Sequence, residues 1–148
     1  NIIITQYESK YTMPLLNIAD FTDCPLPRLI YDSMIKMNGK TLKNIIKKAD
    51  AVGDYLTIQS YDDSIILDSK GNNGSYHELI PKELLLELRI REYSTTTYSI
   101  EYLKEFTKSI ENNDQIIIEF SSRHPCRLEK SINNLGRVHY YLAPRVEN

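Results

Sequence analysis

Residues 54–58, with the sequence DYLTI, and residues 114–118, with the sequence DQIII, are two copies of one pattern. In each copy an aspartate precedes a run rich in β-branched residues, which is typical of a strand. The two aspartates lie 60 residues apart (114 − 54). A second pair of matching stretches, GSYH from Gly74 and GRVH from Gly136, is offset by 62 residues (136 − 74). Because the two offsets differ by only two residues (62 − 60), the sequence predicts an internal duplication.

The predicted secondary-structure elements follow the same order in both copies. The first copy has a strand at 33–37, a helix at 38–52 and strands at 55–59, 64–68 and 75–80. The second copy has a strand at 86–92, a helix at 97–110 and strands at 115–120, 126–132 and 137–142. A β-α-β-β-β unit this short cannot cover its own apolar faces, so it should pack against its copy. We therefore predict an α+β fold, in which antiparallel sheets carry two helices on one side.

Both predicted helices carry lysines opposite their apolar residues. The apolar residues of the first helix recur at i, i+3, i+4 and i+7: Leu42, Ile45, Ile46 and Ala49. Three lysines, Lys40, Lys43 and Lys47, recur at spacings of three and four on the other side. In the second helix two lysines lie near acids, which weakens their potential: Lys104 and Lys108 beside Glu101 and Glu105. Lysines in such rows contact phosphates without reading bases, although a solvated helix face has the same appearance.

Composition narrows the possible functions. The 148 residues carry a formal net charge of −2, so binding to nucleic acid would depend on a local basic face. We find no phosphate-binding loop, no dinucleotide fingerprint and no metal-ligand spacing among the three histidines, and we expect no catalysis, metal or cofactor. The alternative is a metal-dependent nuclease or hydrolase that uses Asp62, Asp63 and Asp68. No apolar run approaches the roughly 20 residues of a membrane span, and no signal peptide is evident.

The N-terminal region follows a different pattern from the duplicated part. Strands are predicted at 2–6 and 11–16, and the chain opens in the middle of a strand, so we expect residues to be missing upstream. The stretch 17–31 has no periodicity and contains two prolines, as expected of an ordered linker. We predict three parts: 1–16, the last hairpin of an otherwise missing domain; 17–31, a connecting loop; and 32–148, the duplicated domain.

Three stretches resemble sliding clamps of the proliferating cell nuclear antigen family. The ending 136–147, GRVHYYLAPRVE, is similar to the last strand and tail of these proteins, and its LAPRVE resembles archaeal members most. Residues 49–54, ADAVGD, resemble the end of a family helix, and residues 102–108, YLKEFTK, resemble a second one. The resemblance extends from about residue 11 to the end.

The resemblance implies a trimeric ring around duplex DNA that tethers replication and repair proteins. The implied DNA-channel residues are Lys40, Lys43, Lys47 and Lys108. The implied partners are DNA polymerase, the clamp loader, flap endonuclease and ligase, which bind through short peptides. The implied peptide pocket comprises Leu26, Pro27, Tyr31, Pro125, Tyr141, Ala143, Pro144 and Val146. The strands 11–16 and 75–80 should be open edges at which subunits join, through Tyr11, Leu15, Ser75, Tyr76, His77 and Leu79.

Several alternatives remain open at the level of sequence. The ring could be a homotrimer or a heterotrimer, and the subunit could be of the checkpoint type. A protein-interaction scaffold that does not touch DNA is a third possibility. The predicted location is the cytoplasm, in association with the nucleoid, for an archaeal protein, and the nucleus for a eukaryotic one. We predict reduced thiols for Cys24 and Cys126, which lie far apart in the sequence.

Overall fold

The computed structural model describes residues 2–6, 9–13, 30–131 and 136–145 of the chain. Two strands precede the duplicated part: β1 (Ile2–Gln6) and β2 (Ser9–Met13). The first copy contains β3 (Ser33–Asn38), α1 (Gly39–Asp50), β4 (Tyr55–Ser60), β5 (Ser64–Gly71) and β6 (Gly74–Pro81). A short 3-10 turn (Lys82–Leu84) and β7 (Glu87–Ile90) follow. The second copy contains β8 (Thr95–Ser99), α2 (Ile100–Thr107), β9 (Gln115–Phe120), β10 (Cys126–Ser131) and β11 (Arg137–Leu142).

The strands form two antiparallel sheets, which the two copies share. One sheet has the order β2-β1-β11-β10-β9-β3-β7, and the other has the order β6-β5-β4-β8. The first strand of each copy therefore pairs with the other copy: β3 pairs with β9, and β8 pairs with β4. Neither copy has a complete sheet without the other. The helices α1 and α2 also pack against each other, so the predicted α+β fold with both helices on one side is confirmed.

Matching hydrogen bonds tie the two copies together. The backbone N–H of Gly39, at the start of α1, donates to the carbonyl of Asp114 (2.7 Å). The N–H of Ile100, at the start of α2, donates to the carbonyl of Asp54 (2.9 Å). The two aspartates recognised in the sequence are thus equivalent in space. They satisfy backbone donors at helix N-termini that have no partner within their own helices.

The matching glycines are equivalent as well. Gly74 is the first residue of β6 and Gly136 immediately precedes β11, and both have positive φ, 138° and 136°. Glycine adopts this conformation without the steric cost that a side chain would impose. The duplication inferred from two short stretches therefore reflects the same backbone turn used twice.

The second copy does not begin where the sequence suggested. The strand predicted at 86–92 is only Glu87–Ile90, and it is an additional edge strand beside β3. The true first strand is Thr95–Ser99, which had been assigned in part to a helix predicted to start at residue 97. The sequence TTTYS alternates exposed and buried positions and is rich in β-branched threonine, so it forms a strand. The second helix accordingly starts at Ile100.

The core lies between the sheets and under the helices. The predicted apolar face of α1 is buried, and in α2 the buried residues are Ile100, Leu103 and Phe106. Among the described residues, the largest fully buried side chains include Tyr98, Tyr140 and Phe120. The Tyr140 hydroxyl donates to the carbonyl of Tyr102 (3.1 Å), so strand β11 is fastened to α2. The buried faces leave the opposite faces of both helices open to other partners.

Candidate nucleic-acid interface and partner pocket

The lysine row of α1 is available for contact with an anion. Lys40 and Lys47 are exposed, and Lys43 is half-buried. The ion pairs of the described part of the chain include none of these three ammonium groups. Their spacing places them on one stripe of the helix, opposite its buried residues. The predicted basic row is therefore one continuous surface of cationic side chains.

Unlike the lysine row of α1, the lysines Lys104 and Lys108 form ion pairs with carboxylates. Lys104 Nζ lies 3.0 Å from Asp50 Oδ2 at the end of α1, and Lys108 Nζ lies 2.7 Å from Glu105 Oε1. The sequence indicated a weaker potential here because of nearby acids. It did not indicate the Asp50 contact, which joins residues 54 positions apart. A phosphate group would therefore meet the lysine row of α1, which has no ion-pair partner among the described residues, and ion-paired lysines on the second helix.

The strands predicted as subunit edges lie at the ends of the sheets. Strand β2, which includes Tyr11, ends the seven-stranded sheet, and β6 ends the four-stranded sheet. On β6, Leu79 is 54% exposed although it is apolar, and Ser75 is exposed. Tyr76 is half-buried and packs against the core, and His77 is exposed. Leu15 lies outside the described residues.

The end strands β7 and β8 were not anticipated as edges. The outer edge of β8 is partly covered, because the backbone N–H of Arg145 donates to the carbonyl of Thr97 (2.7 Å). The guanidinium of Arg145 also lies over the ring of Tyr55, 4.0 Å from its centroid. A cation in this position is attracted by the negative face of the ring. Arg145 is thus held against the four-stranded sheet.

The described members of the predicted peptide pocket lie at one end of the large sheet. The pairing of Cys126 with Leu142 places Pro125 and Ala143 at the end of the β10–β11 ladder, where Pro144 follows and Tyr141 pairs with Arg127. The Tyr31 hydroxyl is buried without a hydrogen-bond partner among the described residues. Burial and the neighbouring Tyr141 raise the pKa of Tyr31 to about 12. Leu26, Pro27 and Val146 lie outside the described residues, so this part of the prediction is not tested.

Each copy holds a histidine opposite an acid on the neighbouring strand. In the first copy, His77 faces Asp68, and Nδ1 lies 2.6 Å from Oδ1. In the second copy, His139 faces Glu129, and Nε2 lies 3.2 Å from Oε2. The two histidines are the last residues of the matching stretches GSYH and GRVH. The duplication extends to their acidic neighbours, which sequence comparison of the two copies had missed.

The second of these pairs belongs to a buried ionic cluster. The side chain of Glu129 is only 7% exposed and lies within 3.4 Å of Arg127, Arg137 and His139. Arg127 also pairs with Glu119 at 2.7 Å. The contact with His139 lowers the pKa of Glu129 against the opposing effect of burial, and the two arginines lower it further. A carboxylate with these neighbours is stabilised in its charged form.

Glu129→Gln is expected to lower the free energy of unfolding by about 1–3 kcal/mol at neutral pH, the range for hydrogen bonds to charged groups. Because the pKa of Glu129 is lowered on folding, its contribution is present above the ordinary value of 4.5 and is lost as the pH falls through the folded value. Urea unfolding at pH 7 and pH 4 measures this, and the difference from wild type should shrink at the lower pH. The control is Glu87→Gln, which removes the acid of the surface ion pair between Glu87 and Arg89. This variant should change the free energy of unfolding by less than about 0.5 kcal/mol. A difference that grows on acidification would contradict the assignment.

The three aspartates on which a nuclease or hydrolase would depend are not arranged as one catalytic site. Asp62 accepts a hydrogen bond from the Tyr93 hydroxyl (2.9 Å), and Asp63 accepts one from Ser64 (3.0 Å), in the turn between β4 and β5. Asp68 lies within β5 and contacts His77. Among the residues that the structure describes, no group of three or more His, Cys, Asp or Glu side chains is arranged to hold a metal ion.

The fold and the surfaces together define a class of protein. A duplicated α+β domain whose two copies exchange their first strands, with paired helices on one side, is the architecture of DNA clamp domains. The model of the family "Proliferating cell nuclear antigen, C-terminal domain" matches residues 25–145. The chain therefore belongs to the proliferating cell nuclear antigen family, and the resemblance of its tail and helices is confirmed.

Named relatives and solved structures agree with this assignment. The chain is 39% identical over 142 residues to a "DNA polymerase sliding clamp" of Nitrosopumilus maritimus, covering 94% of this chain and 57% of that protein. It is 32% identical to a protein of the same name from Cenarchaeum symbiosum, with the same coverage. The chain thus spans a little over half the length of these relatives. A. fulgidus PCNA, solved with the C-terminal region of FEN-1 bound, is 26% identical with a TM-score of 0.78, covering 95% of this chain and 58% of that one.

Within the described residues, no helix is both long enough and apolar enough to cross a membrane.

Proposed function

We propose that the full-length protein is a subunit of a DNA sliding clamp, a ring that encircles duplex DNA and tethers polymerase and other replication and repair proteins. The observation that carries this proposal is the row of Lys40, Lys43 and Lys47 on α1, which has no ion-pair partner among the described residues. Lysines on a helix face neutralise phosphates without reading bases, so the contact is independent of sequence and sensitive to salt. Such a contact allows movement along the duplex. Lys108 is proposed to line the same channel from the end of the neighbouring helix, where its ammonium group pairs with Glu105.

The end strands of the sheets support the proposal of a closed ring. Strand β6 has no strand paired with its outer edge among the described residues, and it carries the exposed Leu79. An open edge is a site for pairing with another chain, and head-to-tail pairing that closes into a ring covers every such edge. We propose that Tyr11 and Leu15 on one subunit and Ser75, Tyr76, His77 and Leu79 on the next belong to this interface. The division into a preceding hairpin, a connecting loop and a C-terminal clamp domain is part of the same proposal.

Partner proteins are proposed to bind at the end of the large sheet. Tyr31, Pro125, Tyr141, Ala143 and Pro144 are proposed to form an apolar surface there, which the predicted Leu26, Pro27 and Val146 would extend. Short peptides bind such surfaces by inserting apolar anchors and pairing their extended flanks with a free backbone. The solved complex of A. fulgidus PCNA with the C-terminal region of FEN-1 supports this use of the fold. DNA polymerase, the clamp loader, flap endonuclease and ligase are the proposed partners.

The proposed function requires no chemistry from the chain itself. We infer that the protein is a binding platform rather than an enzyme and that it works with the nucleoid in the cytoplasm, as its archaeal relatives suggest.

The full-length protein, once loaded, is expected to remain on nicked circular duplex DNA and to leave linear duplex DNA by sliding off the ends. Retention is measured by gel filtration of the loaded DNA at a salt concentration of about 150 mM. Equal loss from both DNAs would reject encirclement and would favour a scaffold that does not embrace DNA.

A pair of matched variants tests whether the edge strand β6 takes part in the subunit interface. Leu79→Asp places a charge on the exposed edge strand β6, whereas Leu84→Asp places the same charge on a leucine that is 72% exposed in the connection between β6 and β7. We expect Leu79→Asp to reduce the ring to smaller species in light scattering and to lose retention on circles. Leu84→Asp should keep both properties. Equal behaviour of the two variants would remove β6 from the interface.

A further inference from the structure

On the helical face that carries the lysines, α1 and α2 differ in whether carboxylates pair with those lysines. On α1, Lys40, Lys43 and Lys47 have no ion-pair partner among the described residues. On α2, both lysines of this face are held by carboxylates, Lys104 by Asp50 and Lys108 by Glu105. On this face, the ammonium groups that could contact a phosphate without first leaving a carboxylate are thus those of Lys40, Lys43 and Lys47.

Asp50 has a special position on this face. It is the last residue of α1, three residues after Lys47, and it reaches across to Lys104 of the other helix with a separation of 3.0 Å. Both side chains remain about half exposed, 44% for Asp50 and 50% for Lys104. The pair therefore lies at the surface, beside the lysine row rather than in the core.

Stability does not account for an aspartate at this position. An acid in the last turn of a helix meets the negative end of the helix dipole, where Lys47 and Lys48 are favourable and a carboxylate is not. A surface ion pair between side chains of this exposure contributes about 0–1 kcal/mol. The structural gain is small, and the local cost to the helix opposes it.

We propose that Asp50, supported by Glu105, sets the strength of the DNA contact by occupying the lysines of α2. This inference rests on the proposed function. A lysine that must leave a carboxylate to reach a phosphate exchanges one anionic partner for another, and the carboxylate left behind repels the DNA. The phosphate contact is then confined to α1. A weaker and narrower contact lets a ring move along the duplex while the ring itself prevents escape.

The test uses the full-length protein and short linear duplex DNA, with the dissociation constant measured by fluorescence anisotropy between about 50 and 200 mM salt. Asp50→Asn keeps the size of the side chain and removes its charge. Each lysine freed for a phosphate should steepen the plot of log K against log salt by about 0.9. We expect Asp50→Asn to steepen it and to tighten binding three- to tenfold at the lowest salt, and Asp50→Asn with Glu105→Gln to do so further.

Two further variants show whether the effect acts through Lys104. The double variant Asp50→Asn with Lys104→Met should return the slope towards wild type. Glu87→Gln removes an equivalent exposed carboxylate, which lies 2.6 Å from Arg89 on β7, and should leave the slope unchanged. Thermal unfolding of every variant checks that the fold is intact.

The outcomes separate the inference from the proposed function. An unchanged slope for Asp50→Asn, with binding lost on charge reversal of the α1 lysines, overturns the role of Asp50 alone. A slope that steepens equally for Glu87→Gln also overturns it, because the effect is then one of net charge. Binding that is insensitive to the α1 lysines overturns the proposed function and this inference together.

Discussion

Simultaneous replacement of Lys40, Lys43 and Lys47 by glutamate is expected to weaken DNA binding by the full-length protein roughly 100-fold at low salt. The three cationic groups lie on one stripe of α1 and have no ion-pair partner among the described residues. Reversal would remove the three proposed phosphate contacts of each subunit and replace them with three repulsive charges. In a ring the effect recurs in every subunit, so processive synthesis with the cognate polymerase should fail as well.

The measurement is the salt dependence of DNA binding, together with polymerase processivity on a primed circle. A control variant reverses three exposed charges that lie on neither helix: Lys82, Arg91 and Arg123. It changes the net charge by the same amount, and it should bind DNA within about threefold of wild type, because these charges lie outside the α1 row and salt screens exposed charges that are not in direct contact. Equal losses in the two variants would show that net charge, and not the α1 row, governs binding.

Gly39→Ala is expected to lower the free energy of unfolding by about 3 kcal/mol, the upper part of the range for overpacked sites. A Cβ atom at position 39 would lie 2.1 Å from the carbonyl oxygen of Glu111 and 2.5 Å from Cγ2 of Ile110. The start of α1 cannot move away freely, because the Gly39 N–H is bonded to the carbonyl of Asp114. Helix propensity alone predicts the opposite sign, since alanine is favoured over glycine within helices.

Urea unfolding of the full-length protein measures this effect, and Gly74→Ala provides the comparison. Gly74 has φ near 138°, but the nearest atom to an added Cβ is Val52 Cγ1 at 3.9 Å. That variant therefore carries backbone strain without a clash, and it should lose about 1–2 kcal/mol. If Gly39→Ala were as stable as wild type, or more stable, the close contact between the two copies at this junction would be wrong.

Much of the architecture could be predicted from local pattern. The strands from β3 to β6 and from β9 to β11, the buried face of α1 and the turn glycines all followed from periodicity and from residue preference. These features depend on which side of an element is buried, and the sequence records that directly. The chief error was β8, where the threonine-rich stretch TTTYS was assigned in part to the helix that follows it. The strand and the helix adjoin there without an intervening turn, so no turn-forming residue such as glycine or proline indicated the boundary.

The sequence predicted some residues of the candidate surfaces but missed several of the contacts between them. The α1 lysines follow from spacing alone, and the described pocket residues were inferred from the resemblance of the tail and loop to clamps. The ionic cluster around Glu129 and the contact of Arg145 with Tyr55 were not foreseen, because the partners come from separate strands and from the tail. No periodicity within one element records such a contact.

Local sequence pattern was enough to predict that a β-α-β-β-β unit occurs twice and that one helix carries a row of lysines. The packing of the whole chain was needed to show that the copies exchange their first strands, with β3 beside β9 and β8 beside β4, and that Asp50 pairs with Lys104. The two kinds of feature differ in how far along the chain the responsible interactions reach. Burial and backbone preference act within a few residues, whereas strand partners and ion pairs between distant residues depend on how the chain packs as a whole.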